Sequence, residues 1–273
     1  MKSILITGCS SGIGYDTAHY LHRNGYRVFA TARQQADVKR LRAEGLEAYR
    51  LDVTSHQSIE QTLNAVLQQT GGTLDALFNN AGYGQPGAVE DVSTDVLKAQ
   101  FETNVFGLHA LTCRILPVMR AQGHGRIIQH SSVLGLVSLR FRGAYNASKY
   151  AVEGLCDTLR LELHGSNIEI ITLNTGPISS GFRQNAQVMF VKNIDREHSV
   201  FKADYERELL NSSEKKEASL WTRQSDAVIQ KVLLALEKEH PAARYYVTSA
   251  THLLGLFKRL FSTRMLDALL RRI

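Results

Sequence analysis

The sequence predicts an α/β fold in which helices cover both faces of a doubly wound parallel sheet. Three observations carry that expectation. Short apolar runs alternate with longer helical patterns from the first residues, a glycine-rich turn joins the first run to the first helical pattern, and Gly8, Asn79 and Ser131 fall at the ends of runs. Strand–helix–strand repetition needs crossovers, which make the strands parallel and lay helices on both faces. Ligands of such sheets bind beyond the carboxyl ends of the strands.

Taken in order, Ile4-Leu5-Ile6 is a buried strand within Lys2 to Thr7, and Ile13 to Arg23 carries helical periodicity. Tyr26 to Thr31 returns as a strand. Further strands are expected at Glu47 to Leu51, Leu74 to Phe78, Arg126 to His130 and Ile168 to Leu173, with helical patterns near 55–69, 94–121 and 144–163. From Gly181 to Ser219 the pattern is irregular, with Phe182, Val188-Met189-Phe190-Val191, Phe201 and Tyr205 among many charges. Residues 252–273 place apolar side chains at 253, 256, 257, 260, 261, 266, 269, 270 and 273, opposite Lys258, Arg259, Arg264, Arg271 and Arg272. That reads as one amphipathic helix. Such a stripe packs on its own domain or a neighbouring subunit, or lies with its basic face on an anionic membrane.

Composition narrows the class. A chain of 273 residues with 44% hydrophobic residues and only four prolines is expected to be one domain over 1–273. The net charge of +6 favours anionic partners: nucleic acid, a membrane surface or a phosphate-bearing cofactor. No block of five like charges occurs, so nucleic acid is not expected as a partner. Cys9, Cys113 and Cys156 form no CxxC pair, which points to reduced thiols and a cytoplasmic location. The ten histidines include no HExxH, and no metal site is expected. The first strand starts almost at once, so no signal peptide is expected, and no run of about 18 apolar residues is present to span a bilayer.

The turn Thr7-Gly8-Cys9-Ser10-Ser11-Gly12-Ile13-Gly14 lies between the first strand and the first helix. Glycines there let the backbone turn tightly and approach a pyrophosphate, which rests against the N–H groups at the helix start. Roughly 20 residues on, at the end of the second strand, an acid would hydrogen-bond the ribose hydroxyls of NAD. The sequence has Thr31-Ala32-Arg33 instead. A guanidinium suits a 2′-phosphate because its fork donates two charge-assisted hydrogen bonds, so NADP is the expected cofactor.

In this order and spacing the motifs resemble the short-chain dehydrogenase/reductase family over most of the chain. They are the Thr7–Gly14 loop, Leu51-Asp52-Val53, Asn79-Asn80-Ala81-Gly82, Asn104, Ser132, Tyr145-Asn146-Ala147-Ser148-Lys149 and Gly176-Pro177. Within the family the chain is most similar to the branch of retinol and 17β-hydroxysteroid dehydrogenases and bacterial NADP-dependent aldehyde and ketone reductases. The resemblance implies a Rossmann-like fold with a variable substrate lid at 181–219. It implies that Gly8, Ser10, Ser11, Gly12, Ile13 and Gly14 hold the cofactor phosphates. Asp52 would hold the adenine amino group, with Val53 beside the ring, and Asn80, Ala81 and Gly82 would line the cofactor. Gly176, Pro177 and Ile178 would close over the nicotinamide. Two departures stand out: the usual proline-glycine pair begins here with Thr175, and the downstream threonine is Ser180, whose hydroxyl still donates.

Tyr145 and Lys149 are four apart, so a helix sets them on one face. A free tyrosine has a pKa near about 10 and is a poor base at neutral pH. A nearby ammonium is expected to stabilise the phenolate and lower that pKa. The resemblance adds that Lys149 binds the nicotinamide ribose. It also implies that Ser132, rather than the adjacent Ser131, bonds the substrate oxygen. Asn104, a poor helix former inside a helical pattern, would hold a water linking Lys149 to solvent. The small residues Ala144, Ala147, Ala151 and Gly154 permit close helix approach, and the family implies a homodimer or homotetramer. The expected activity is NADP(H)-dependent interconversion of a hydrophobic aldehyde or ketone with its alcohol. The substrate class spans retinoids, steroid-like ketones and medium- or long-chain carbonyls. A catalytically silent cofactor-binding sensor would lack one of the tyrosine, lysine or serine, and all three are present. A basic membrane- or nucleic-acid-associated protein is the other alternative.

Overall fold

The computed structural model describes residues 1–207 and 221–272. Seven strands, β1 (Ser3–Ile6), β2 (Arg27–Ala32), β3 (Glu47–Arg50), β4 (Ala76–Asn79), β5 (Gly125–Ser132), β6 (Ile168–Thr175) and β7 (Arg244–Tyr246), form one sheet in the order β3-β2-β1-β4-β5-β6-β7. Every pairing is parallel. Side chains alternate across the sheet, and the apolar strands therefore feed two cores. Ile4, Ile6, Val28, Ala30, Phe78, Ile128 and Ile171 face one layer, made by α1 (Gly12–Arg23), α2 (Gln35–Ala43) and α9 (Asp226–Glu237). Leu5, Phe29, Leu77, Ile127 and Ile170 face the other, made by α3 (His56–Gln69), α5 (Gly107–Gln122) and α6 (Gly143–Glu162). Fully buried strands of this kind read as continuous apolar runs rather than alternating ones.

Several elements correct the expectations. The single helix over 94–121 is two helices, α4 (Thr94–Phe101) and α5, joined by a π-helical turn at Glu102–Phe106. The turn carries Asn104, whose side chain binds the backbone of Tyr83 at both its N–H and its carbonyl. π-Turns of this sort interrupt helices where a side chain is needed elsewhere. Helix α2 carries only two buried positions, Val38 and Leu41, among charges, and its sequence showed too little apolar periodicity to be assigned. Helix α9 and β7 likewise lie beyond the last strand that the apolar runs revealed. Short as it is, β7 is fixed by Arg244, which donates to Glu153 on α6 at 2.6 Å, while Asn174 on β6 donates to the other oxygen of the same carboxylate at 2.6 Å.

The segment expected to be irregular begins with a helix, α7 (Phe182–Asn193), followed by the short α8 (Lys202–Tyr205). The remainder of that lid, 208–219, lies outside the described residues. The tail is not one helix but two, α10 (Ser249–Leu260) and α11 (Thr263–Leu270), and Ile273 lies outside the described residues. Phe261 and Ser262 adopt extended conformations between the two helices. The break redirects the apolar stripe. Leu254, Phe257, Phe261, Leu266 and Leu270 pack with Val133, Leu134, Val137 and Tyr145, whereas Leu253, Leu256, Leu260 and Met265 stay exposed. Among the described residues no helix is long and apolar enough to cross a membrane.

Candidate active site

A cleft of about 2530 Å³ runs along the carboxyl ends of the strands, from the Gly8–Ile13 loop to the tail helices. Of the residues expected to bind the cofactor or act in catalysis, all but Gly14 and Asn104 line it. The loop follows β1. Gly8 has φ +73, and a Cβ there would stand 2.9 Å from the Ala81 Cα, so only glycine fits without strain. Gly14 sits beneath it, with no room for a side chain against the Gly8 carbonyl. Ser11 precedes α1 without capping it through its side chain, so the first-turn N–H groups are open to an anion. Arg40 on α2 donates to the Ser10 carbonyl at 2.5 Å and steadies the loop.

The loop is fastened to β4. Thr7 Oγ1 accepts the backbone N–H groups of Asn80 and Ala81, each at 2.9 Å. Asn80 returns the contact by donating Nδ2 to the carbonyls of Thr7 and Gly8, at 2.9 and 3.2 Å. Beyond β2, Arg33 is exposed on the cleft wall, with no acid at the strand end. Asp52 accepts from the backbone and hydroxyl of Thr54 at 3.0 and 2.7 Å, beside Val53. Pro177 and Ile178 are pinned by backbone pairing with Arg223, and Ser180 lies against Gly12, its hydroxyl accepting from the Phe182 N–H at 3.4 Å. A glycine cradle, an uncapped helix start and a cation at the β2 end fit a phosphate-bearing dinucleotide.

At the other end of the cleft, Tyr145 and Lys149 share the buried face of α6, and the Lys149 Nζ lies 5.6 Å from the centre of the Tyr145 ring. Ser132 ends β5, with its hydroxyl accepting from Leu134 N–H at 3.1 Å and donating to the Thr175 carbonyl at 3.4 Å. The neighbouring Ser131 faces away, toward the Asn174 amide at 3.4 Å. Asn104 is bonded to Tyr83 and to the Ser148 hydroxyl at 3.2 Å, behind the catalytic helix face rather than on Lys149. The Phe182 ring stands 5.5 Å from that of Tyr145.

The electrostatics depart from the sequence expectation. Burial pushes the Tyr145 phenol up to about 12, and a hydrogen bond with Ser132 pulls only weakly the other way. The Lys149 amine, expected to lower the phenol, instead donates to the His130 carbonyl at 2.6 Å. Burial pushes Lys149 down to about 8, with Glu153 opposing. Desolvation of the phenolate therefore sets the direction of the shift. Sequence reasoning missed two residues of this neighbourhood. His130, half-buried with its ring between Asn80 and Thr175, had only its place at a strand end to signal it. Arg40 looked like one more surface charge.

Parallel winding, a phosphate-ready loop and a tyrosine–lysine pair in one cleft define a nucleotide-binding oxidoreductase of the Rossmann-like class. The short chain dehydrogenase family model matches residues 2–189, and the chain belongs to that family. The chain is 38% identical over 271 residues to the Escherichia coli (strain K12) protein named as the uncharacterized oxidoreductase YbbO, covering 99% of this chain and 94% of that one. Retinol dehydrogenase 8 of Bos taurus is 38% identical over 191 residues, 66% of this chain and 60% of its own. A short chain dehydrogenase/reductase from Burkholderia phymatum, solved in complex with NAD, superposes with a TM-score of 0.78 at 25% identity, covering 99% of this chain and 95% of that one.

Because Lys149 has a folded pKa of about 8 against its ordinary 10.5, the folded chain bears a buried charge below pH 8 that the unfolded chain carries freely in water. Lys149→Met is expected to raise stability at neutral pH by on the order of 2 kcal/mol. Since unfolded lysine keeps its proton until about pH 10.5, wild type gains on the variant as pH rises from 8, and the gap closes. Urea unfolding of the nucleotide-free proteins across that range measures it; a variant less stable at neutral pH contradicts the assignment.

Proposed function

We propose that this chain is an NADP(H)-dependent oxidoreductase that interconverts a hydrophobic aldehyde or ketone and its alcohol, with Tyr145 exchanging the proton. The observation that carries the reading is that Ser132, Tyr145 and Lys149 share one cleft with the phosphate-ready loop and Arg33. The dinucleotide, when bound, supplies or accepts hydride. Ser132 offers its hydroxyl to the substrate oxygen, where negative charge gathers during reduction. Tyr145 sits in the same wall and donates its proton to that oxygen, taking it back in the oxidative direction. Burial raises its pKa, so the phenol holds a proton to give at neutral pH. Lys149 stands one helical turn behind, and Asn104 braces the Ser148 and Tyr83 side of the same helix. Asp52, Val53, Asn80, Ala81, Gly82, Pro177, Ile178 and Ser180 line the rest of the cofactor path in this reading.

Arg33 supports NADP over NAD, since it stands exposed where an acid would otherwise meet the ribose. The substrate wall of Val133, Leu134, Val137, Leu254, Phe261 and Leu266 supports a lipophilic carbonyl compound. Retinol dehydrogenase 8, a relative over two thirds of the chain, is named for a substrate of that kind. The free thiols Cys9, Cys113 and Cys156 support a reducing, cytoplasmic setting. Leu155 and Leu161 on the outer face of α6 and Phe106 beside α5 are exposed, supporting a homodimer or homotetramer built on these helices. Leu253, Leu256, Leu260 and Met265, beside Lys258, Arg259 and Arg264, support peripheral contact of the tail with an anionic membrane.

Three measurements test the reading. Tyr145→Phe keeps the ring and removes the proton, so turnover with NADPH and an aldehyde is expected to fall by about a thousandfold with NADPH binding retained; unchanged turnover defeats the assignment. Arg33→Ala is expected to weaken NADPH binding about tenfold or more, and NADH binding little, in a fluorescence titration; equal losses would remove Arg33 as the discriminator. Deletion of residues 249–273 is expected to abolish co-sedimentation with liposomes containing anionic lipid, and no binding by the intact chain would sink the membrane contact.

A further inference from the structure

His130 lies at the centre of the cleft floor, between the loop and the catalytic helix, and its two ring nitrogens meet different partners. Asn80 spends both hydrogens of its Nδ2 on the Thr7 and Gly8 carbonyls, which leaves its Oδ1 facing His130 Nδ1 at 2.9 Å. An amide oxygen only accepts, so His130 Nδ1 carries the hydrogen. Burial and the Lys149 charge push the imidazole pKa to about 3, so at neutral pH the ring is uncharged and Nε2 is bare. Nε2 then accepts from the Thr175 hydroxyl at 3.2 Å, whose other available acceptor is the Ser131 carbonyl at 3.3 Å. The His130 carbonyl meanwhile accepts from Lys149 Nζ, and the Thr175 carbonyl accepts from the Ser132 hydroxyl. The ring thus ties the loop to the catalytic serine's acceptor, while the backbone carbonyl of the same residue holds the lysine.

We propose that His130, held as the Nδ1–H tautomer between Asn80 and Thr175, is a positioning residue whose ring sets the phosphate loop and Ser132 in register with one another. It acts through these neighbours and touches no reacting atom. Thr175 is its partner: the hydroxyl standing where the family's proline is usual is what binds Nε2. The consequences for cofactor and turnover rest on the oxidoreductase reading above, whereas the tautomer does not.

Two experiments separate these. Nitrogen-15 NMR of the histidine rings at neutral pH, assigned with His130→Asn, is expected to show His130 protonated at Nδ1 alone. An Nε2–H tautomer or a charged ring overturns the proposal, whatever the enzyme does. In parallel, His130→Leu fills the space without hydrogen bonds and strands the Asn80 oxygen; it is expected to weaken NADPH binding and lower kcat by about tenfold each. His130→Asn restores a donor toward Asn80 and is expected to recover NADPH binding to within about threefold of wild type. Thr175→Val, a milder change should the leucine variant not fold, is expected to lower kcat by about threefold or more with NADPH binding nearly intact. A purely structural histidine would lower the melting temperature of these variants and leave kcat and NADPH affinity of the folded protein unmoved, which overturns the proposal. If wild type binds neither NADPH nor NADH, the oxidoreductase reading fails and the tautomer alone decides His130.

Discussion

The carboxyl ends of β1 and β4 must be held side by side although the chain leaves them in opposite directions. In the order β3-β2-β1-β4-β5-β6-β7 the winding reverses between these two strands, which opens a crevice at their ends. Left alone, that crevice would expose the backbone N–H groups of Asn80 and Ala81 with no strand to pair them. The hydroxyl of Thr7 takes both, and the Asn80 amide answers with two donors to the opposite strand end. Four hydrogen bonds thereby weld the reversal point into a rigid floor. The candidate site is placed relative to it: the loop rises from one side, and β5 with Ser132 stands next to the other.

Rigidity of this floor matters because the polar groups above it are buried at a cost. Tyr145, Lys149 and His130 all titrate away from their ordinary values in the direction that favours the neutral form. Three ionisable groups in one low-dielectric pocket cannot each keep a charge without strong compensation. The chain supplies it sparingly, with one carbonyl for the ammonium and the Glu153 carboxylate a helical turn away. Glu153 is itself neutralised by Arg244 from the edge strand, so the last strand of the sheet contributes to the charge balance of the site.

What could be read from residues alone follows from how local each signal is. The buried strands announce themselves as apolar runs, and the loop and the tyrosine–lysine pair are set by spacing within one turn or one helix. The π-helical turn at Asn104 was not legible, because its cause is the Tyr83 backbone, twenty-one residues away in sequence. Nor was the break near Phe261: the pattern of leucines fits one helix, but half of them are drawn onto Val133, Leu134 and Tyr145 while the rest turn outward. The phenol's direction of shift was misjudged for a similar reason. Spacing gives the distance between tyrosine and lysine, but desolvation depends on what covers them, and the cover comes from the other end of the chain.

That cover gives the site its division of labour. Residues before about position 180 build the floor with Ser132, Tyr145 and Lys149, whereas α7 and the tail helices build the roof. Phe182 leans on the Tyr145 ring from one side, and Leu266 with its neighbours closes the other. The roof meets the floor by apolar contact at Tyr145 and by hydrogen bonds further out, where Asn193 donates to Gln85 at 2.7 Å and the Tyr205 hydroxyl accepts from the Ala88 N–H at 2.8 Å. A scaffold arranged in this way can keep one proton-transfer geometry while the residues above it choose the molecule that is presented. The same contacts cover the Tyr145 ring and sustain its raised pKa, so in the proposed function the groups that line the substrate side would also tune the acid beneath them.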